Sequence, residues 1–245
     1  MTWVKSVPPG SFGNQRELFP AYQKKLITDG MGASDAAALT ARLQSRSTTS
    51  PEWTAVNFNR IYSGVKTGDS SYAPNPFLVE TVSTLRAGKA LDVGMGNGRN
   101  TIFLAQQGWD VTGLDLSDVG VAQAQERART LSVRIDARVQ DIDVFDFGAG
   151  QWDLICLLFF VIDERQQMLY QRIAAGLKPG GFVVVEGLGL PVLDSLLQAW
   201  AKWAPTNLFP LRLEYREGLT DTDKMDKVWS GRGSSYGRLL LQKPI

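Results

Sequence analysis

Leu91-Asp92-Val93-Gly94-Met95-Gly96-Asn97-Gly98 is the stretch that decides the fold. Ala90 to Val93 is an apolar run of strand length, and three glycines at alternate positions follow it at once. Without Cβ atoms the chain turns tightly there and a ligand can approach the main chain. Asn100 to Gln107 then reads as a helix stopped by Gly108. A second strand, Val111 to Leu114, ends at Asp115, roughly 20 residues on, where a ribose-binding carboxylate belongs in nucleotide-binding α/β folds. Ser117 caps the next helix, which runs to about Leu131.

Working outward toward the carboxyl end, the alternation continues. Val133, Ile135, Ala137 and Val139 alternate as a third strand closing near Asp141. Trp152 to Phe160 is apolar on both sides, as a central parallel strand should be. Asp163 and Gln166 resemble a capping pair for a helix reaching Gly176. Lys178-Pro179-Gly180-Gly181 reads as a turn, and Phe182 to Glu186 as a fifth strand. An amphipathic helix is expected over Val192 to Trp203, a sixth strand through Leu211, Leu213 and Tyr215, and a seventh through Leu239 to Gln242. Strands alternating with helices imply a Rossmann-like, doubly wound α/β fold: a mostly parallel seven-stranded sheet with helices on both faces.

Toward the amino end the pattern changes. Residues 1–50 read as a partly helical appendage: Pro8, Pro9, Gly10 and Gly13 make its start irregular, and Ser34 caps a helix carrying Ala36, Leu39 and Leu43. The polar run Ser45 to Ser50 follows as a linker. Residues 51–76 carry Trp53, Phe58, Tyr62 and Tyr72 and read as an aromatic segment that packs over the main domain, residues 77–245, as a lid.

Composition narrows the chemistry. The 245 residues include 26 Lys+Arg, 25 Asp+Glu, one cysteine and no histidine. Imidazole catalysis, histidine-containing metal sites and internal disulfides are therefore excluded. No metal is expected. Balanced charge gives no reason to expect nucleic acid, and the longest apolar run, Leu154 to Ile162, is too short for a membrane span. A cytoplasmic protein is the expectation.

Two cofactor classes fit the loop. Dinucleotide binders use Gly-x-Gly-x-x-Gly or Ala, and in that register the last position here is the bulky Arg99. The motif is instead Asp-x-Gly-x-Gly-x-Gly. Its carboxylate would oppose a pyrophosphate and would suit a cofactor bearing an ammonium or a sulfonium. The spacing favours S-adenosylmethionine over NAD.

At this point the chain resembles the class I S-adenosylmethionine-dependent methyltransferases, over roughly residues 75–245. The resemblance is carried by ALDVGMGNGRNTIFLAQQGWDVTGLDLS (90–117), QDIDVFDF (140–147), WDLICLLFF (152–160) and LKPGGFVVVEG (177–187), in family order. GNGRN with the helix that follows it looks like the tellurite-resistance and related small-molecule methyltransferases. The resemblance implies that Gly94, Gly96 and Gly98 line the methionine part of the cofactor, with Asp92 close by. Asp115 would accept both ribose hydroxyls and Leu116 would contact adenine. Asp141 would accept from the adenine amino group and Ile142 would donate to the ring through its backbone. Leu157 would offer its carbonyl to the cofactor ammonium, and Arg99 could pair with the cofactor carboxylate.

Methyl transfer from a sulfonium needs neither histidine nor metal, because the methyl group is already activated. A small-molecule acceptor is expected, with S-adenosylhomocysteine as coproduct. If a base is needed, Tyr62, Tyr72, Asp163 and Glu186 are the candidates. Phe159 and Phe160 could wall the acceptor pocket. Two rival readings are a non-catalytic S-adenosylmethionine-binding sensor or scaffold and an NAD(P)-dependent oxidoreductase. The acceptor and the oligomeric state are not legible.

Overall fold

The computed structural model of the protein describes residues 15–47, 51–64, 72–160, 167–188, 198, 209–216 and 236–245. Seven strands form one sheet: β1 (Lys89–Val93), β2 (Asp110–Asp115), β3 (Asp136–Val139), β4 (Trp152–Leu158), β5 (Leu177–Leu188), β6 (Phe209–Arg216) and β7 (Tyr236–Gln242). Their order is β3-β2-β1-β4-β5-β7-β6. All neighbouring pairs are parallel except β5 with β7 and β6 with β7. Chain order reverses between β1 and β4, and in open α/β sheets the ligand crevice lies at that reversal, outside the carboxyl ends of the strands.

Seven helices are described before the last strands: α1 (Gln15–Thr28), α2 (Ala33–Ser47), α3 (Pro51–Ser63), α4 (Pro76–Val82), α5 (Arg99–Gln106), α6 (Asp118–Thr130) and α7 (Gln167–Gly176). Both faces of the sheet are buried, and β4 shows why its sequence is apolar throughout. Leu154, Cys156 and Leu158 face a cluster with Phe77, Leu104 and Trp109, whereas Ile155 and Leu157 face one with Tyr170, Ile173 and Phe147. Each such side chain contributes roughly 1.5–3 kcal/mol when fully removed from water. Cys156 is wholly buried, and that burial pushes its thiol well up, so it is inert packing.

Several sequence expectations shift. The stretch Gln15–Thr28, which carries no strong breaker pattern except Pro20, is helical and contacts α2. β3 begins only at Asp136, and Val139 is more than half exposed, because β3 is an edge strand with no neighbour beyond it. Lys178 to Gly181 is not a turn between elements but a bulge within β5. The partner of β4 jumps from Leu177 to Phe182, and Gly180 takes a φ of +77° to accommodate it. The expected capping pair Asp163/Gln166 and the helix over 192–203 fall outside the described residues, apart from residue 198.

Candidate cofactor and active site

The glycine loop leaves β1 at Val93 and enters α5 at Arg99, with Gly94, Gly96 and Gly98 all at positive φ. Gly94 and Met95 both donate backbone N–H to the Leu114 carbonyl, at 2.8 and 2.9 Å, which pins the loop across the end of β2. Met95 turns inward with Val121 and Ala124, and its thioether sits where a Cβ on Gly113 would be. The methionine in the loop and the glycine in the second strand are thus one packing unit.

Asp115 is buried at the end of β2. Its carboxylate accepts from Gly96 N at 2.8 Å through one oxygen and from Ser117 N at 2.7 Å through the other. Burial raises its pKa, and those backbone donors, together with Leu116 N, oppose the rise. A carboxylate has about four acceptor sites, so the group can still accept from a ligand hydroxyl. Ser117 also caps α6, accepting from Gly120 N at 2.9 Å. Asp141 caps the short 3-10 turn Ile142–Val144, accepting from Asp143 N at 2.9 Å. Asp141 and Ile142 are half-buried, on the same side as Asp115: Gln140 N donates to the Asp115 carbonyl at 2.9 Å. Leu116 is half-buried beside them. Leu157 is fully buried in β4, just past Cys156, where the β1–β4 ladder ends.

Asp92 is buried and takes a 2.6 Å hydrogen bond from Thr101 Oγ1. Burial pushes its carboxyl up to about 6, with Thr101 and the Arg99 charge offsetting part of the rise and Asp115 adding to it. The folded protein therefore holds this proton more tightly than the unfolded chain. The associated stability is complete below about pH 4 and is lost as pH rises through about 6. Asp92→Asn is expected to stabilise the unliganded protein by on the order of 2 kcal/mol at pH 8 and by almost nothing at pH 4, read as thermal melts at both pH values. Equal shifts at the two pH values would contradict this assignment.

Aromatic rings cover the loop from two directions. Phe160, just beyond β4, rests on Gly94, where an added Cβ would come within 2.6 Å of its Cδ2. The preceding residue, Phe159, has a φ of +57°, an uncommon conformation for a residue with a side chain, and its N–H donates to the Glu186 carbonyl at 2.7 Å. Tyr62, on α3, is wedged against Gly96 and Gly120, both of which admit it only because they lack a Cβ. Burial, and then the Asp115 charge, pushes the Tyr62 phenol up well beyond its ordinary value, so it stays protonated. α3 is held on α6 by Asn59, which meets Ser117 and Asp118, and by Gln123 Nε2, which donates to the Tyr62 carbonyl at 2.9 Å. Tyr72 lies under the Arg127 guanidinium at 3.9 Å, and Arg127 donates to the Asn97 carbonyl at 3.1 Å. Tyr62 therefore touches the glycine loop directly, and Tyr72 is linked to it through Arg127.

Glu186 is fully buried at the end of β5. It accepts from Arg238 Nε at 2.6 Å and from Asn75 Nδ2 at 2.8 Å. Asn75 was not singled out from the sequence; its place as cap before Pro76 was the available signal. Asp163 lies outside the described residues. A separate cavity of about 440 Å³ opens at the amino-terminal ends of β1 to β3, lined by Lys89, Arg134, Asp136 and Trp152 among others, and shares no residue with the loop.

Residues 90–181 match the family described as Methyltransferase domain. The chain is 33% identical over 104 residues to a ubiquinone biosynthesis O-methyltransferase of Coxiella burnetii, covering 42% of this chain and 44% of that one. It thus spans less than half the length of that relative. Among solved structures, a SAM-dependent methyltransferase from Methanosarcina mazei superposes with a TM-score of 0.56 at 16% identity, covering 71% of this chain and 99% of the other. A geranyl diphosphate C-methyltransferase from Streptomyces coelicolor, in complex with Mg²⁺, geranyl diphosphate and S-adenosyl-L-homocysteine, gives 0.52 at 18% identity over 68% and 78% of the chains. Residues 90–181 thus match a methyltransferase-domain family, and the sheet has the Rossmann-like fold of the solved methyltransferases it resembles. These relatives do not single out the tellurite-resistance group.

Proposed function

We propose that the protein is an S-adenosylmethionine-dependent methyltransferase that transfers a methyl group to a small-molecule nucleophile. The observation that carries the reading is the pairing of the open-backbone glycine loop with the buried Asp115, whose carboxylate is already oriented by Gly96 and Ser117. The donor set fits the cofactor. Asp115 has lone pairs for a ribose diol, and Asp141 can accept at the far end of the crevice. Asp92 and Arg99 stand at the loop for an ammonium and a carboxylate. The relative with S-adenosyl-L-homocysteine bound supports the same reading.

The bound cofactor would supply a methyl group that is already activated, so the chain's own work is alignment and exclusion of water. Phe160 and Tyr62 close over the loop and shield the crevice. Tyr62, held protonated, can donate a hydrogen bond but cannot act as a base. Glu186 is neutralised by Arg238 and serves the scaffold. With those two withdrawn as bases, acceptors that are already nucleophilic are favoured: thiolates, halides, chalcogen oxyanions or phenolates. In this reading residues 1–50 are an appendage, 51–76 the cover and 77–245 the catalytic domain. A cytoplasmic location belongs to the same proposal. Among the described residues no helix is long and apolar enough to cross a membrane.

The test is a transfer screen with methyl-labelled cofactor over thiols, halides, chalcogen oxyanions, amines and phenols. Label appearing in at least one acceptor class, with stoichiometric S-adenosylhomocysteine, is the expected result. Tight cofactor binding with transfer to none would favour a sensor.

A further inference from the structure

A buried polar chain runs behind the loop, and its members come from four separate elements. Asn100, in the first turn of α5, accepts through Oδ1 from the backbone N–H of Asn75 at 2.8 Å. The Asn75 side chain then divides its two ends: Oδ1 caps α4 by accepting from Leu78 N at 3.1 Å, and Nδ2 donates to Glu186 Oε1 at 2.8 Å. Glu186 Oε2 accepts from Arg238, its directly opposite neighbour on β7. All four residues are at most 5% exposed, so each bond acts without competition from water.

Glu186 also reaches the loop by a second path. Its backbone carbonyl takes the N–H of Phe159, whose left-handed backbone delivers Phe160 onto Gly94. One residue therefore grips the loop from both ends: at Gly94 through Phe159 and Phe160, and at the start of α5 through Asn75 and Asn100. A core stabilised by packing alone would be better served by apolar groups, since a buried ion pair is often no better than a hydrophobic replacement. What polar bonds add is a fixed direction.

We infer that Glu186 and Asn75 are positioning residues that hold the glycine loop in its ligand-ready geometry by joining it to the β5–β7 end of the sheet. They touch no reacting atom. Their effect passes through Asn100 at one end and Phe160 at the other. The loop is thereby set before any ligand arrives, which lowers the ordering cost of binding. The proposal rests on the cofactor reading above only for its binding arm.

Asn75→Ser is the clean probe. Serine still caps α4, and the backbone N–H to Asn100 is untouched, but the side chain is too short to reach Glu186. Asn100→Ala severs the other link. Two readouts are taken on the full chain well below the melting temperature of each variant. The first is hydrogen exchange in the unliganded protein over residues 94–102, where Gly98 N is bonded to the Met95 carbonyl and Ile102 N to the Gly98 carbonyl. The second is the dissociation constant for S-adenosylhomocysteine. Each variant is expected to speed exchange over 94–102 by about tenfold and to weaken binding by about tenfold. The double variant should be no worse than the weaker single one, because both cut the same path. A merely structural role would lower the melting temperature while leaving exchange over 94–102 and affinity within twofold of wild type, and that result overturns the proposal. Fully additive effects overturn it as well. If the wild-type chain does not bind S-adenosylhomocysteine, the cofactor reading fails, and the exchange arm still decides this one.

Discussion

Asp115→Ala is expected to weaken S-adenosylhomocysteine binding by about 100-fold or more, measured by calorimetric titration on protein shown to be folded by circular dichroism. The size follows from two hydrogen bonds to a charged acceptor, each contributing about 1.5–3 kcal/mol, where about 1.4 kcal/mol is tenfold in affinity. Part of the loss is indirect. The same carboxylate orients Gly96 N and Ser117 N, and its removal leaves both N–H groups without that partner inside the site. Asp115→Asn separates the two contributions, since the amide keeps the shape and one acceptor. It should bind more tightly than the alanine variant yet remain well short of wild type. Affinity within threefold of wild type for the alanine variant would remove Asp115 from the ribose role.

Gly96→Ala is expected to be nearly as damaging, through geometry and not charge. Gly96 has a φ of +56°, which a residue with a Cβ adopts only under strain, and the new methyl would overlap the Tyr62 hydroxyl. Strain and overlap of this kind cost about 1–3 kcal/mol each. Either the loop distorts or α3 is pushed off α6, and the crevice loses its form in both cases. We expect a lower melting temperature together with more than a tenfold loss of cofactor affinity. Adding Tyr62→Phe removes the overlapping oxygen and should recover part of the loss. Without such recovery, the backbone conformation and not the cover would be the dominant constraint.

The sequence revealed the parts of the site that are local. Asp92, the three glycines and Asp115 lie within one strand–loop–helix–strand unit, and the physical demand on each is imposed by near neighbours. Ser117 was readable as a cap for the same reason. Other features depend on partners far along the chain. Asn75 and Glu186 are 111 positions apart, and nothing in either local pattern announces their bond. Glu186 therefore read as a candidate base, whereas Arg238 and Asn75 bond to its two oxygens. Gly113 and Gly120 make room for Met95 and Tyr62, which lie elsewhere along the chain. In β3 the alternating pattern marked one apolar face carrying Val139, whereas its place at the sheet edge leaves Val139 largely in solvent. Strand position within a sheet is a long-range property, and periodicity does not contain it.

The missing histidine fits this architecture. In the proposed reading Asp115 and the loop would bind and orient the cofactor while Tyr62 and Phe160 would exclude water, and none of these tasks calls for a group that titrates near neutrality.

The most direct test of the central claim is a calorimetric titration of the purified chain with S-adenosylhomocysteine and, separately, with NADH. The structure predicts a single saturable site for S-adenosylhomocysteine, lost in Asp115→Ala, and no saturable binding of NADH. Saturable NADH binding with none of S-adenosylhomocysteine would contradict it.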